Sequence, residues 1–266
     1  MIFLPDSSSS LRKHIDYYWI VKEKQHQFGN LQNLFAFPGI TPDLLLILDG
    51  HLTYRYQGKV KKVMKSQLYS HIHENVNLDL SAIKSFVIVK FKSKGLSSLL
   101  PFVDVSTEAL MKNSIVDADI IFGNSINVLT TQLNALDAHA GIKELDAWFL
   151  SHYKKEREGF MVDLAGELSE NFELKEIMKA TTYSYSTLER YFKKDTGLSP
   201  KKYQAMRRYK QVVQEICTSR NTDWMHYVQT YGYYDQSHFI KEIKRFTSFT
   251  PTQLLQVPSF VSYRPI

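Results

Sequence analysis

Phe192-Lys193-Lys194-Asp195-Thr196-Gly197-Leu198-Ser199-Pro200 and Ile243-Lys244-Arg245-Phe246-Thr247-Ser248-Phe249-Thr250-Pro251 are the two stretches whose comparison decides how this chain folds. They stand 51 residues apart and share one plan: an apolar residue, two basic ones, Gly or Ser at a helix end, then Ser or Thr before proline. Each position has a physical reason. Gly197 relieves the left-handed strain of a helix C-terminus, while Ser199-Pro200 and Thr250-Pro251 supply an N-cap and a first-turn proline for the next helix. Each block is a stop followed by a restart.

Working outward, the same plan precedes both blocks. A short helix carrying Leu174, Ile177 and Met178, or Trp224, Tyr227 and Val228, leads to a tight turn and a second helix. The second of these turns contains Gly232. The helices after the turns begin near Ser184-Tyr185 and at Asp235, both good caps, and bury Leu188 with Phe192 and Phe239 with Ile243 at a spacing of one turn. That arrangement leaves Ser186, Thr187, Glu189, Arg190 and Lys193 outward on the first, and Gln236, Ser237, Ile240, Lys241 and Lys244 outward on the second. These side chains can reach base edges or phosphates. Between the units, Pro200 to about Ser219 reads as one helix, which at 1.5 Å per residue spans about 30 Å, close to the roughly 34 Å turn of B-form DNA. Arg207, Arg208 and Lys210 on it suit the intervening phosphate backbone.

Charge placement agrees. The chain of 266 residues carries +6 overall, and residues 177–245 hold 13 Lys or Arg against 6 Asp or Glu, so the remainder sums to about −1. A localised surplus is the footprint of a polyanion-binding surface, because neutralised phosphates release condensed counterions. A composition of 44% hydrophobic and 23% charged residues is that of folded domains. Cys217 is the lone cysteine, which excludes an internal disulfide and a thiolate zinc cage and fits a reducing, cytoplasmic compartment. Residues 1–10 lack a basic start with an apolar core, and no stretch approaches about 18 uninterrupted apolar residues, so neither secretion nor a membrane partner is expected.

The first part of the chain has a different character. Leu44 to Leu48, Leu52 to Tyr56 and Phe86 to Phe91 read as strands, with turn signals at Pro38-Gly39, Pro42-Asp43, Asp49-Gly50 and Gln57-Gly58. Asp49-Gly50 sits where a hairpin turn would. After Pro101 the period becomes helical: Ile126, Leu129, Leu133 and Leu136 share one face, Leu145, Trp148 and Phe149 another, and the break between two helices is expected at Ala138 to Gly141. Lys154 to Gly159, five charged residues and a glycine, reads as a junction. The expected class is α+β. A β-rich sensing or regulatory domain covers 1–105, a helical linker or dimerisation region 106–158, an all-α domain with two helix-turn-helix motifs 159–257, and a tail 258–266.

The C-terminal residues resemble the AraC/XylS-type transcription regulators over about Gly159 to Gln256, on the Gly-x-Ser-Pro block and the Gly232-Tyr233 to His238-Phe239 to Lys244 region. The resemblance implies a bacterial-type regulator that binds double-stranded DNA. By position within the motifs, base reading falls to Ser186, Glu189 and Arg190, and to Gln236, Ser237, Ile240 and Lys241. Phosphate contacts fall to Lys193, Lys194, Lys244 and Arg245. It also implies a cupin-like N-terminal half that senses a small-molecule effector or makes a homodimer, and RNA polymerase as a further partner. The chain departs from the family pattern at Thr182 and Ser248, where glycine is usual, and at Met178 and Val228, where a small residue faces the recognition helix.

Two other classes stand beside this reading: a cupin-like metalloenzyme, and a protein-interaction module with a vestigial DNA-binding tail. His71, His73 and Glu74 form the one cluster with metal-ligand spacing, since His-x-His places both rings on one side of a strand. A third ligand and the glycine spacing of metal cupins are missing, so exposed loop histidines are preferred and no metal or cofactor is expected. No Gly-x-Ser-x-Gly, phosphate-cradling loop or carboxylate pair occurs, so no catalytic residue is assigned. Tyr17, Tyr18, Trp19, Phe35 and Phe37 fit core packing better than a pocket lining.

Overall fold

The computed structural model describes residues 2–3, 5, 10–22, 33–39, 41–70, 72, 74–92, 114–152, 178–179, 183–196 and 198–256. The expected α+β class is what the chain adopts. Among the described residues, ten strands come first: β1 (Ile2–Phe3), β2 (Ile15–Val21), β3 (Asn33–Ala36), β4 (Asp43–Gly50), β5 (Leu52–Tyr56), β6 (Lys59–Val63), β7 (Gln67–Tyr69), β8 (Val76–Asp79), β9 (Ile83–Phe91) and β10 (Ile115–Asp117). They form two antiparallel sheets, of order β1-β2-β9-β4-β7-β10 and β3-β8-β5-β6.

Side-chain alternation along β2, β4 and β9 divides the larger sheet between two cores. Val21, Leu45, Ile47 and Phe86 face the smaller sheet and pack with Leu34, Leu52, Val63 and Leu78. Tyr18, Ile20, Leu44, Leu46, Val87 and Val89 face the other way, onto helices α1 (Ala118–Phe122), α2 (Ser125–Ala135) and α3 (Ala138–His152). The stripe of Ile126, Leu129, Leu133, Leu145, Trp148 and Phe149 is therefore buried inside this layered domain. Helices α1 to α3 are thus a third layer on the sheet. Tyr18 reaches across this layer boundary, its hydroxyl donating to Asp146 Oδ1 at 2.6 Å. Burial first, and the adjacent carboxylate second, push that phenol far above its ordinary range.

Two local expectations are corrected. Asp49-Gly50 is not a hairpin turn: β4 pairs with β7 and β9, whereas β5 pairs with β6 and β8, so the chain steps there from one sheet to the other. Gly50 makes the step possible, with φ +90 and a hypothetical Cβ only 2.3 Å from the carbonyl oxygen of Ala82. The real hairpin is Gln57-Gly58, both at positive φ as a two-residue primed turn requires, with Tyr56 opposite Lys59. The helix break after α2 falls at Leu136-Asp137 and not at Ala138 to Gly141, because Asp137 caps α3 by accepting from the backbone N–H of Ala140 at 2.9 Å.

The C-terminal region contains α4 (Tyr185–Thr196), α5 (Pro200–Ser219), α6 (Trp224–Thr230), α7 (Gln236–Thr247) and α8 (Pro251–Leu254). They share one core of Leu188, Leu198, Tyr209, Val213, Tyr227, Phe239, Ile243 and Phe246. The sheet domain docks on it. Phe35 and Phe37 meet Phe249 edge-on at 5.2 and 6.1 Å between ring centres, and the Tyr209 hydroxyl donates to the carbonyl oxygen of Pro38. Tyr18, Trp19, Phe35 and Phe37 thus serve separate contacts: Tyr18 packs on α3, Trp19 meets Phe86 within the sheet core, and Phe35 and Phe37 hold the two domains together.

Candidate nucleic-acid interface

The second motif is described throughout. Asp223 caps α6 by accepting from the N–H groups of Met225 and His226. The turn relies on Gly232 at φ +66, after which the Tyr233 N–H returns to the carbonyl of Val228 at 3.0 Å. Asp235 then caps α7, accepting from His238 N–H at 2.7 Å. Phe239, Ile243 and Phe246 bury the inner stripe of α7, with Phe239 stacked on Tyr227 at 5.9 Å and edge-on to Tyr233 at 5.3 Å. The outer face is what remains: Gln236, Ser237, Lys241, Lys244 and Arg245 are exposed, and Ile240 is half-buried against the core.

Of the first motif, Met178 and Lys179 and then residues from Tyr183 are described; Thr182 and Gly197 lie outside the described residues. Ser184 begins α4, its Oγ accepting from Thr187 N–H at 3.3 Å and lying 3.0 Å from the Thr187 hydroxyl. Leu188 is fully buried beneath. Ser186 and Arg190 are exposed, with the Arg190 guanidinium 5.3 Å from the Tyr191 ring centre. Lys193 pairs with Glu189 at 3.0 Å, so this face presents a partly neutralised charge. The side chain of Lys194 falls outside those described.

The connector is the expected single helix. Ser199 caps α5 by accepting from Lys202 N–H, and Arg220 ends it in the left-handed conformation. The three cations expected on the phosphate backbone, Arg207, Arg208 and Lys210, do not behave alike. Arg208, expected on the phosphate backbone, is turned into the protein: its Nε and Nη2 donate to Glu242 of α7 at 3.0, 2.9 and 2.7 Å, and its guanidinium lies 4.4 Å from the Tyr233 ring centre. Burial works against the charge on Arg208, but the hydrogen bonds and charge of Glu242 outweigh it and hold the guanidinium above its ordinary value. Lys210 points to the sheet domain, where burial lowers it to about 8, the Lys90 charge adds to that effect, and Asp43 and Asp16 oppose it. Arg207 is half-buried beside it. The second motif is tied to the same connector through Glu215, which receives the Tyr231 hydroxyl at 2.6 Å and lies 2.8 Å from His226 Nε2.

Two features escaped the sequence reading. Tyr234, just before the cap of α7, is 91% exposed, a large aromatic standing at the leading end of the recognition helix. Glu242 is only 8% exposed, and its signal was present in the sequence: residues 239, 242, 243 and 246 make one helical stripe with an acid in an apolar position. A groove of about 830 Å³ beside it is walled by Lys201, Lys202, Arg208, His238 and Arg245. Burial, then the charge of Arg245, lowers Lys202. Glu74 lies on a neighbouring cavity of about 360 Å³ with Lys202 and Arg245. His71 and His73 lie outside the described residues, among which no group of three or more potential metal ligands occurs. Among the described residues, no helix is long and apolar enough to cross a membrane.

A helix-turn-helix domain family model matches residues 177–256, which takes in both recognition helices and the connector. No curated protein sequence matches the chain. Among solved structures, the fatty-acid-bound ToxT of Vibrio cholerae is 12% identical, with 93% of this chain and 96% of that chain covered and a TM-score of 0.48. A second ToxT structure from Vibrio cholerae is 12% identical over 85% and 96% of the two chains, with a TM-score of 0.46. The AraC-like transcriptional activator CuxR is 9% identical over 91% and 79%, with a TM-score of 0.25. The family model runs over the same residues whose caps, turn glycine and buried stripes build the two motifs, and on that ground the C-terminal region is an AraC-type helix-turn-helix domain and the protein a DNA-binding transcription regulator.

Proposed function

We propose that α4 and α7 enter successive major grooves on one side of a duplex, α7 providing the larger share of sequence discrimination. The observation that carries this is the contrast between their outer faces. On α7, Lys241, Lys244 and Arg245 stand exposed with Gln236 and Ser237, and its one acid, Glu242, is buried. On α4, Glu189 takes up the charge of Lys193. Gln236 suits bidentate contact with adenine and Lys241 contact with guanine, while Lys244, Arg245 and Lys193 suit phosphates. Tyr234 joins them as an aromatic contact to the sugar-phosphate edge or a thymine methyl. The 20-residue length of α5 supports the spacing, since about 30 Å of helix lies near the roughly 34 Å between successive grooves.

The sheet domain is the regulatory half in this reading. It meets the connector at Pro38, whose carbonyl accepts from Tyr209, and the charges of Asp43 and Lys90 act on Lys210, so a small effector or a second subunit acting on it has a route to both recognition helices. Recruitment of RNA polymerase is the downstream step proposed for the bound regulator. The test is selection of duplexes by the full chain, followed by titrations at several salt concentrations. Lys241→Ala and Arg190→Ala should each lose about 1 to 3 kcal/mol of discrimination, and Lys193→Ala should weaken every sequence alike. Binding that does not weaken as salt rises, or equal losses on all sequences for all three variants, refutes the reading.

A further inference from the structure

We infer that Arg208 is a positioning residue for DNA reading: clamped between Glu242 and Tyr233, it fixes the orientation of α7 on the connector and thereby the spacing of the two DNA half-sites the protein accepts. The inference rests on the two-groove reading above. Arg208 touches three parts at once. It belongs to α5, its planar fork is held by three short hydrogen bonds to Glu242 of α7, and its flat face covers Tyr233 of the turn that launches α7. Glu242 lies on the inner stripe of α7, next in sequence to Lys241 and so about 100° around the helix from it. An anchor at Glu242 therefore sets which way the reading face points.

Bidentate guanidinium-carboxylate pairing fixes angle as well as distance, which apolar packing of Phe239 and Ile243 alone does not. A buried ion pair is also a poor choice for stability when two apolar residues would fit. Conformational definition is what it supplies better. The competing use of Arg208 is as a phosphate contact, because the groove it borders also carries Lys201, Lys202 and Arg245. The two uses differ in how they respond to lysine. A lysine keeps the charge a phosphate needs and loses the two-point geometry a strut needs.

The experiment uses the full-length chain and a pool of random duplexes. Wild-type protein selects its motif, and affinities are then measured by fluorescence anisotropy on that duplex, on duplexes with one base pair added or removed between the two blocks, and on each block alone. Wild type should lose about tenfold or more when the spacing changes by one base pair, since a displaced helix forfeits contacts of that size. Arg208→Lys and Glu242→Gln should cut that penalty to about threefold or less while single-block affinities stay within about twofold, because base contacts themselves are intact. Circular dichroism of each variant confirms that it is folded, and a variant that fails this check is replaced by Tyr233→Leu, which removes the platform and should show the same loss of spacing discrimination. An unchanged spacing penalty in folded variants overturns the inference. So does the phosphate pattern, in which Arg208→Lys binds as wild type and Arg208→Ala weakens all spacings alike. Selection of a single block by wild type refutes the two-groove reading, and the inference falls with it.

Discussion

Replacing both members of the Arg208–Glu242 pair should harm stability less than replacing Arg208 alone. Glu242 is 8% exposed and Arg208 28%, so the two respond differently to losing their partner. In Arg208→Met the carboxylate stays where water reaches it poorly and gives up three hydrogen bonds. Removing one side of a buried pair costs about 3 to 5 kcal/mol, and the loss expected here is about 3 kcal/mol. In Glu242→Leu the guanidinium swings toward the open groove, and the cost is about 1 kcal/mol. The double variant has no charge to desolvate and should lie within about 1 kcal/mol of wild type, a coupling of about 3 kcal/mol in the cycle. Urea unfolding followed by the fluorescence of Trp224, whose ring packs 6.2 Å from Phe239, reports on this region when Trp19 and Trp148 are changed to Phe in every member. A cost below about 1 kcal/mol for Arg208→Met, or a double variant no more stable than that single one, refutes the reasoning.

Two further outcomes follow from other sites. Ser248 holds φ +65 at the C-terminus of α7, a conformation disfavoured for any side chain, so Ser248→Gly should raise stability by about 1 kcal/mol in the same unfolding assay; a neutral or destabilising result removes the strain argument. Lys210 is lowered to about 8 where it meets the sheet domain, so the folded, docked form prefers it neutral while the unfolded chain holds the proton to about 10.4. The unfolded state therefore binds more protons between these values, and the contribution of Lys210 is unfavourable below about 8 and improves as pH rises toward about 10.4. Relative to Lys210→Met, wild type should gain thermal stability across that window, and parallel pH profiles would exclude the effect.

What could be read from the sequence follows the range of the interactions involved. The stop-and-restart blocks, the caps Ser199, Asp235 and Thr250, and the length of α5 are written within a few residues of where they act, and each was legible. So was the centre of β4, a run of apolar residues between turn signals. β6 was missed because Lys59-Val60-Lys61-Lys62-Val63 is a mostly exposed edge strand whose lysines mask its alternation. Gly50 was misread because turn chemistry alone does not tell a hairpin from a step between sheets; that depends on β9, more than 30 residues on. In the site, outward residues of α7 followed from its period, but the use of Arg208 did not. Its partner is 34 residues away, and a cation on a basic helix has the same local signature whether it meets a phosphate or a carboxylate.

Arg208, Tyr209 and Lys210 are consecutive on one helix, and each is committed to a different neighbour: α7, the Pro38 carbonyl and the charges of Asp43 and Lys90 on the central strands β4 and β9. None of the three contacts uses an outward residue of α4 or α7. Rewriting the outward positions of α4 and α7 should therefore leave the mechanical linkage to the sheet domain untouched, so that a change of DNA sequence preference and a change in the sheet domain can be made separately.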